Sequence, residues 1–277
     1  MTLAPRQLIL SLMLGAEARG DLAMNVRELL AACALFGISG NSARVALARA
    51  VAAGLLVAPQ RGHYALGPQA RPLADEVVRW RQLDRQLLDW PGGWVGVHVG
   101  ATGRSDRPAL RARERAFGLL GLAEFERGLH LRPDNLAGGA AALRQRLAAL
   151  APEGTDTGTV FALQGLSAGD EARTRSLWEC SALDAGYRDT AGRLSAWLDT
   201  ARSLPLERAA RECFELGHAA IHQLVFDPLL PAPLVDAGAR QRFIAAVKRF
   251  DDAGQAIWQR FLAAERTRHS QPSAHGA

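Results

Sequence analysis

The sequence predicts an α+β protein, and three observations carry that prediction. Apolar residues recur at helical spacing over residues 5–16, 25–35 and 41–53, and again through residues 170–265. Short β-type runs stand at 55–57, 63–66, 94–99, 128–131 and 159–163. Glycine and proline separate these segments. At 277 residues, 48 % of them hydrophobic, the chain has material for two or three compact domains.

The first helix carries Leu8, Ile9, Leu12 and Met13 on one face, and the stretch from Gly15 to Gly20 breaks it. A second begins at Asn25, a good N-cap, runs through Leu29, Leu30, Cys33 and Leu35, and stops at Gly37. After the turn Gly37-Ile38-Ser39-Gly40, the pair Asn41-Ser42 is expected to cap a third helix that reaches Ala53 before Gly54. Two short helices joined by a tight glycine-containing turn are the skeleton of a helix-turn-helix. Leu55–Val57 and His63–Leu66, folded about Pro59-Gln60-Arg61-Gly62, add a hairpin wing.

On the third helix Val45, Leu47, Ala48 and Val51 are expected to pack inward, leaving Asn41, Ser42, Arg44 and Arg49 on the other faces. The start of a recognition helix reaches base edges, so Asn41, Ser42 and Arg44 are candidate major-groove contacts. Arg49 is a candidate for phosphate, and Arg61 and His63 in the wing for backbone or minor groove. The charge agrees: residues 1–72 hold arginines 6, 19, 27, 44, 49, 61 and 71 against Glu17, Asp21 and Glu28, so +4 of the net +5 lies in the first quarter. A basic segment on a near-neutral remainder suits a polyanion, because each neutralised phosphate releases counterions.

Beyond Pro68 and Pro72 a charged amphipathic helix, Leu73 to Leu88, leads to Pro91-Gly92-Gly93. Strand Trp94–Val99, helix Pro108–Leu122, strand Gly128–Leu131, helix Leu136–Leu150 and strand Thr159–Leu163 then suggest a ferredoxin-like α/β sandwich. Such a module serves as a nuclease in other settings, but metal-dependent cleavage needs clustered carboxylates, and the first strand has none while Asp134 stands alone. Dimerisation is its expected use.

From Asp170 to Glu265 the pattern is almost wholly helical, with Trp178, Trp197, Phe214, Phe243, Phe250, Trp258 and Phe261 spaced for core faces. Glu215, His218 and His222 share a helix face, but no cysteine or second carboxylate completes a tetrahedral site, and the glutamate precedes the histidine pair. No metal and no cofactor is expected. A Gly-x-Ser-x-Gly elbow, a P-loop and a dinucleotide fingerprint are all missing, so an enzyme is not expected. Cys33, Cys180 and Cys213 are odd in number and far apart, which reads as buried free thiols. With no apolar run of about 18 residues and no export signal, a cytoplasmic protein with no membrane partner is expected.

Three stretches give the sequence a family likeness. Gly37-Ile38-Ser39-Gly40-Asn41-Ser42-Ala43-Arg44-Val45-Ala46-Leu47-Ala48-Arg49, Gly128-Leu129-His130-Leu131-Arg132-Pro133-Asp134-Asn135-Leu136, and His218 followed by Asp227-Pro228-Leu229-Leu230-Pro231 stand in order along the chain. Together they resemble the PaaX-like regulators, repressors of phenylacetate-catabolism operons. The pattern and the resemblance together give an N-terminal winged helix-turn-helix at 1–70, a connecting helix at 71–91, a central ferredoxin-like dimerisation domain at 92–168 and a C-terminal helical domain for effector and dimer contacts at 169–266, while the tail 267–277, rich in Ser, His and Gly, is expected to be disordered. The resemblance further implies a homodimer on double-stranded operator DNA, released by an aryl-coenzyme A thioester. Coenzyme A carries phosphates, so Arg111, Arg115 and Arg132 are its candidate contacts, with His218. The competing reading is a winged-helix scaffold that contacts protein, and a hydrolase or nuclease is a more distant one.

Overall fold

The computed structural model describes residues 4–18, 20–21, 23–100, 107–151 and 156–270. Among these, the elements in chain order are α1 (Pro5–Ala18), β1 (Met24–Asn25), α2 (Val26–Leu35), α3 (Gly40–Ala52), β2 (Leu56–Gln60), β3 (His63–Leu66) and α4 (Arg71–Arg79). After a 3-10 turn over Trp80–Arg85 come β4 (Trp94–His98), α5 (Arg107–Leu119), β5 (Ala123–Glu126), β6 (Leu129–Pro133), α6 (Gly139–Leu150) and β7 (Thr159–Leu163). The helices α7 (Ala168–Arg175), α8 (Cys180–Thr200), α9 (Leu206–Val225) and α10 (Ala237–Ser270) follow. With two antiparallel sheets among its helices, the protein is α+β as predicted.

The chain divides into two compact units. The first draws on Met1–Arg79, Gly192–Ile221 and Ala246–Ala277. Its N-terminal part buries the predicted face of α1, Leu8, Ile9, Leu12 and Met13, together with Leu29 and Cys33 of α2 and Leu47 of α3. A three-stranded sheet of order β1-β3-β2 closes it, with Gly62 at φ +77° in the hairpin turn. The two-residue β1 was not predicted, since two residues show no alternation. In the same unit Phe214 of α9 stands edge-on to Phe36 at 5.2 Å and to Trp258 of α10 at 5.9 Å. Trp197 packs on Phe250 at 5.1 Å.

The second unit draws on Trp80–Ala191 and His222–Ala245. Its four strands run β5-β6-β4-β7, every pair antiparallel, with α5 between β4 and β5 and α6 between β6 and β7. Val95, Val97 and Val99 cluster with Phe117 of α5, with Leu120 just beyond that helix, and with Leu143 and Leu147 of α6. The strand β5 was not predicted either: Ala-Glu-Phe-Glu is four residues with two exposed charges, too short to separate from the turn.

Three expectations are corrected. The connecting helix expected over Leu73–Leu88 ends at Arg79 and tightens into the 3-10 turn. The helical segment 169–266 is shared between the two units instead of standing alone. At 34 residues α10 is longer than a small core: its Phe250 packs on Trp197 in the first unit and its Phe243 on Tyr187 at 5.6 Å in the second. Thr267–Ser270, expected to be disordered, continue α10, while the rest of that tail lies outside the described residues. Burial pushes the Cys33 thiol up to about 11 and Cys213 to about 12, so both stay protonated. Cys180, expected to be buried, is half-buried.

Candidate nucleic-acid interface

The third helix begins two residues earlier than a cap at Asn41 would allow. Ser39, in extended conformation, is the N-cap: its Oγ accepts from the Ser42 N–H at 3.2 Å and lies 3.0 Å from Ser42 Oγ. The helix then buries a narrow face of Ala43, Ala46, Leu47 and Ala50. That face lets α3 lie close to α1, and it reverses part of the expected pattern. Val45 and Val51, expected inside, are 42 % and 37 % exposed, and Ala48 is exposed as well. The signal was present in the sequence: with Leu47 inward, the set 43, 46, 47 and 50 is the i, i+3, i+4, i+7 stripe, which leaves 45, 48 and 52 opposite.

Asn41, Ser42, Arg44 and Arg49 are all exposed on α3, which contains no acidic residue. Arg61 is exposed in the turn between β2 and β3. His63 differs from the others. It is half-buried, opposite Asn25 in the β1–β3 pairing, with Nε2 3.5 Å from Asn25 Nδ2 and Nδ1 3.4 Å from the Arg61 carbonyl. It therefore braces the turn end of the hairpin against the start of α2. Asn25 in turn caps α2: its Oδ1 accepts from Arg27 N–H at 2.8 Å, and its own N–H donates to Glu28 Oε2 at 3.1 Å. The other Glu28 oxygen accepts from Arg266 of α10 at 2.9 Å. A cleft of about 420 Å³ lies at this point, lined in part by Arg27, His63 and Glu265.

The residues expected to meet an effector separate by burial. Arg111 and Arg115 are exposed one turn apart on α5. Arg132 is 3 % exposed, and its donors are committed inside the protein: Nε to the Pro133 carbonyl at 3.2 Å, Nη1 to the Leu120 carbonyl, and Nη2 to Asn135 Oδ1 at 3.3 Å. Burial, then the nearby Arg146, push its guanidinium down from the usual arginine range. It holds the end of β6 in place and does not face a phosphate in solvent. Its neighbour Asn135, fully buried, donates from Nδ2 to the Leu229 carbonyl at 2.7 Å. The Arg-Pro-Asp-Asn-Leu and Asp-Pro-Leu-Leu-Pro segments are thus one hydrogen-bonded cluster, a relation invisible in their separate positions along the chain. His218 is half-buried on α9, its ring stacked parallel to Phe214 at 5.8 Å. Among the described residues no group of three or more His, Cys, Asp or Glu is placed to hold a metal ion, and no helix is long and apolar enough to cross a membrane.

A helix with a basic, acid-free outward face, next to a hairpin that carries a further arginine, is what DNA-binding regulators present to a duplex. Residues 178–260 match the model of the PaaX-like protein C-terminal domain, a span that holds the third of the three stretches, His218 with Asp227–Pro231, and a likeness that suggests a transcriptional regulator. Among solved structures, the uncharacterized protein Rv0674 from Mycobacterium tuberculosis is similar, with a TM-score of 0.51 at 24 % sequence identity over 91 % of this chain and 99 % of that one. That likeness supports the fold. No curated protein matches the chain.

Proposed function

We propose that this protein is a DNA-binding repressor of a catabolic operon for an aromatic acid of the phenylacetate kind, acting as a homodimer and released by an aryl-coenzyme A thioester. Residues 4–66 serve as a winged helix-turn-helix, with α3 as recognition helix and the β2–β3 hairpin as wing. The observation that carries the reading is the surface of α3: Asn41, Arg44 and Arg49 are exposed on a helix without a carboxylate, and Arg61 is exposed on the hairpin. Arg44 and Asn41 are of the types that pair with guanine and adenine edges, and Arg49 and Arg61 suit phosphate. The β4–β7 sheet, with its ferredoxin-like connectivity, is the proposed dimerisation module, and Arg111 and Arg115 are the arginines available to effector phosphates.

The reading is tested by fluorescence anisotropy of the full-length protein on duplexes from its own upstream region, at two salt concentrations, with and without phenylacetyl-coenzyme A. Tight binding with a steep salt slope, reversed by the thioester, is the expected result. Binding indifferent to the thioester removes the effector and leaves the repressor. The exposed Val45, Val51 and Val57 favour a second reading, in which the same surface docks a protein. Absence of any salt-dependent duplex binding would select it.

A further inference from the structure

We propose that Val45, with Ala48 beside it, is a sequence-reading residue that recognises thymine through its C5 methyl group. This rests on the DNA-binding reading above and goes beyond it by naming a contact and a base. Positions 41, 45, 48 and 52 follow one another along a single stripe of α3, and Asn41, Val45, Ala48 and Ala52 are all exposed. Arg44 flanks this stripe on one side and Arg49 on the other, both exposed. The centre of the face offered to the duplex is therefore apolar, and its edges are cationic.

That arrangement is poorly explained by solvation alone. A β-branched side chain 42 % exposed in mid-helix has a low helix propensity and gains little by burial, so alanine or glutamate would serve a bare surface better. In the major groove the same side chain has a partner. Thymine presents a methyl group beside its O4 acceptor, the one apolar feature on any base edge there. The stiff χ1 of valine holds its methyls in a fixed place, which suits a contact of that size. Asn41 lies one helical turn away, roughly 5–6 Å along the axis, close enough for its amide to meet an adenine of the same or a neighbouring pair. The cationic flanks supply the complementarity to phosphate that makes DNA the occupant of this face. Protein docking is the outcome that the experiment would reveal instead.

The test compares thymine with uracil, which lacks the methyl and keeps the pairing edge. A duplex is first selected from a random pool by binding to the full-length protein, then prepared with thymidine or with deoxyuridine throughout. Wild type is expected to bind the deoxyuridine duplex roughly three- to tenfold more weakly, the size of one or two buried methyl contacts. Val45→Ala should bind the thymidine duplex more weakly by a similar factor and no longer distinguish the two. Arg61→Ala should weaken both alike and keep their ratio. Equal affinity of wild type for the two duplexes would overturn the assignment, as would a Val45→Ala variant that keeps the full ratio, because the methyl effect would then arise from another residue or from duplex shape. Recovery of no duplex from the pool is a different failure: it removes the DNA-binding reading itself and leaves α3 as a protein-docking face.

Discussion

The side-chain amide of Asn135 donates to the carbonyl of Leu229 at 2.7 Å, although 94 residues separate them in sequence. On the other side of Leu229 its N–H donates to Asp227 Oδ1, also at 2.7 Å. The leucine between these two bonds has φ +53°, a left-handed conformation that a side chain with a Cβ rarely adopts. Two hydrogen bonds from buried groups hold it there, and Gly121 gives the neighbouring Pro228 room, since a Cβ at that glycine would stand 2.7 Å from the Pro228 carbonyl oxygen.

Asn135→Ala should therefore destabilise the protein by about 1–3 kcal/mol, because it leaves both the Leu229 carbonyl and Arg132 Nη2 buried without their partner. Thermal or urea unfolding of the full chain measures this. A loss below about 0.5 kcal/mol would show that water replaces the amide and that the cluster is not a lock.

This cluster also marks what the sequence could and could not reveal. Residues 128–136 and 227–231 were each visible as motifs, but only the fold shows that one bonds to the other. The same limit explains Arg132: an arginine in a protein expected to bind coenzyme A reads as a phosphate contact, whereas its burial behind Leu120 and Pro133 follows from pairing Arg132 with Val95 across β4 and β6. The first unit was more legible, because α1, α2 and the hairpin are set by local periodicity and caps. The inward placement of Val45, Ala48 and Val51 came from weighing hydrophobicity above the alanine stripe of Ala43, Ala46 and Ala50 on which α3 packs.

A pH dependence follows from Asp227. Burial pushes its carboxyl up from the usual carboxylate range, against the Tyr187 hydroxyl, the Leu229 N–H and the Arg240 charge, which favour the ionised form. The folded value lies above the unfolded one, so the folded protein keeps this proton to higher pH. Its contribution to stability is then complete below the unfolded value of about 4 and is lost as pH rises through the folded value. Asp227→Asn cannot titrate. Urea unfolding of both proteins between pH 4 and 8 should show wild type losing stability relative to the variant as pH rises. A difference that is flat, or that grows in favour of wild type, would contradict the direction of the shift.

Glu28 and Arg266 form an ion pair whose two members should not matter equally. Glu28 also accepts the Asn25 N–H in the cap of α2, and its side chain is 15 % exposed against 64 % for Arg266. Glu28→Ala removes a capping bond and should cost about 1 kcal/mol. Arg266→Ala removes a solvent-screened charge and should cost at most about 0.5 kcal/mol. Equal losses in urea unfolding would mean that the ion pair, not the cap, is the stabilising element.

Arg44 and Arg61 separate base reading from phosphate contact. Both are exposed, so neither truncation should lower the melting temperature appreciably. Arg44 lies near the start of α3, where side chains reach base edges, and Arg44→Ala should cost about 1–3 kcal/mol on the selected duplex while barely changing affinity for random DNA. Arg61 lies in the hairpin turn, where the contact is to backbone, and Arg61→Ala should weaken selected and random duplexes alike and reduce the salt slope by about one. The two variants must therefore differ in specificity ratio, not merely in affinity. If Arg44→Ala leaves that ratio unchanged, α3 is not the helix that reads sequence, and a selective loss in Arg61→Ala would place the hairpin against base edges instead.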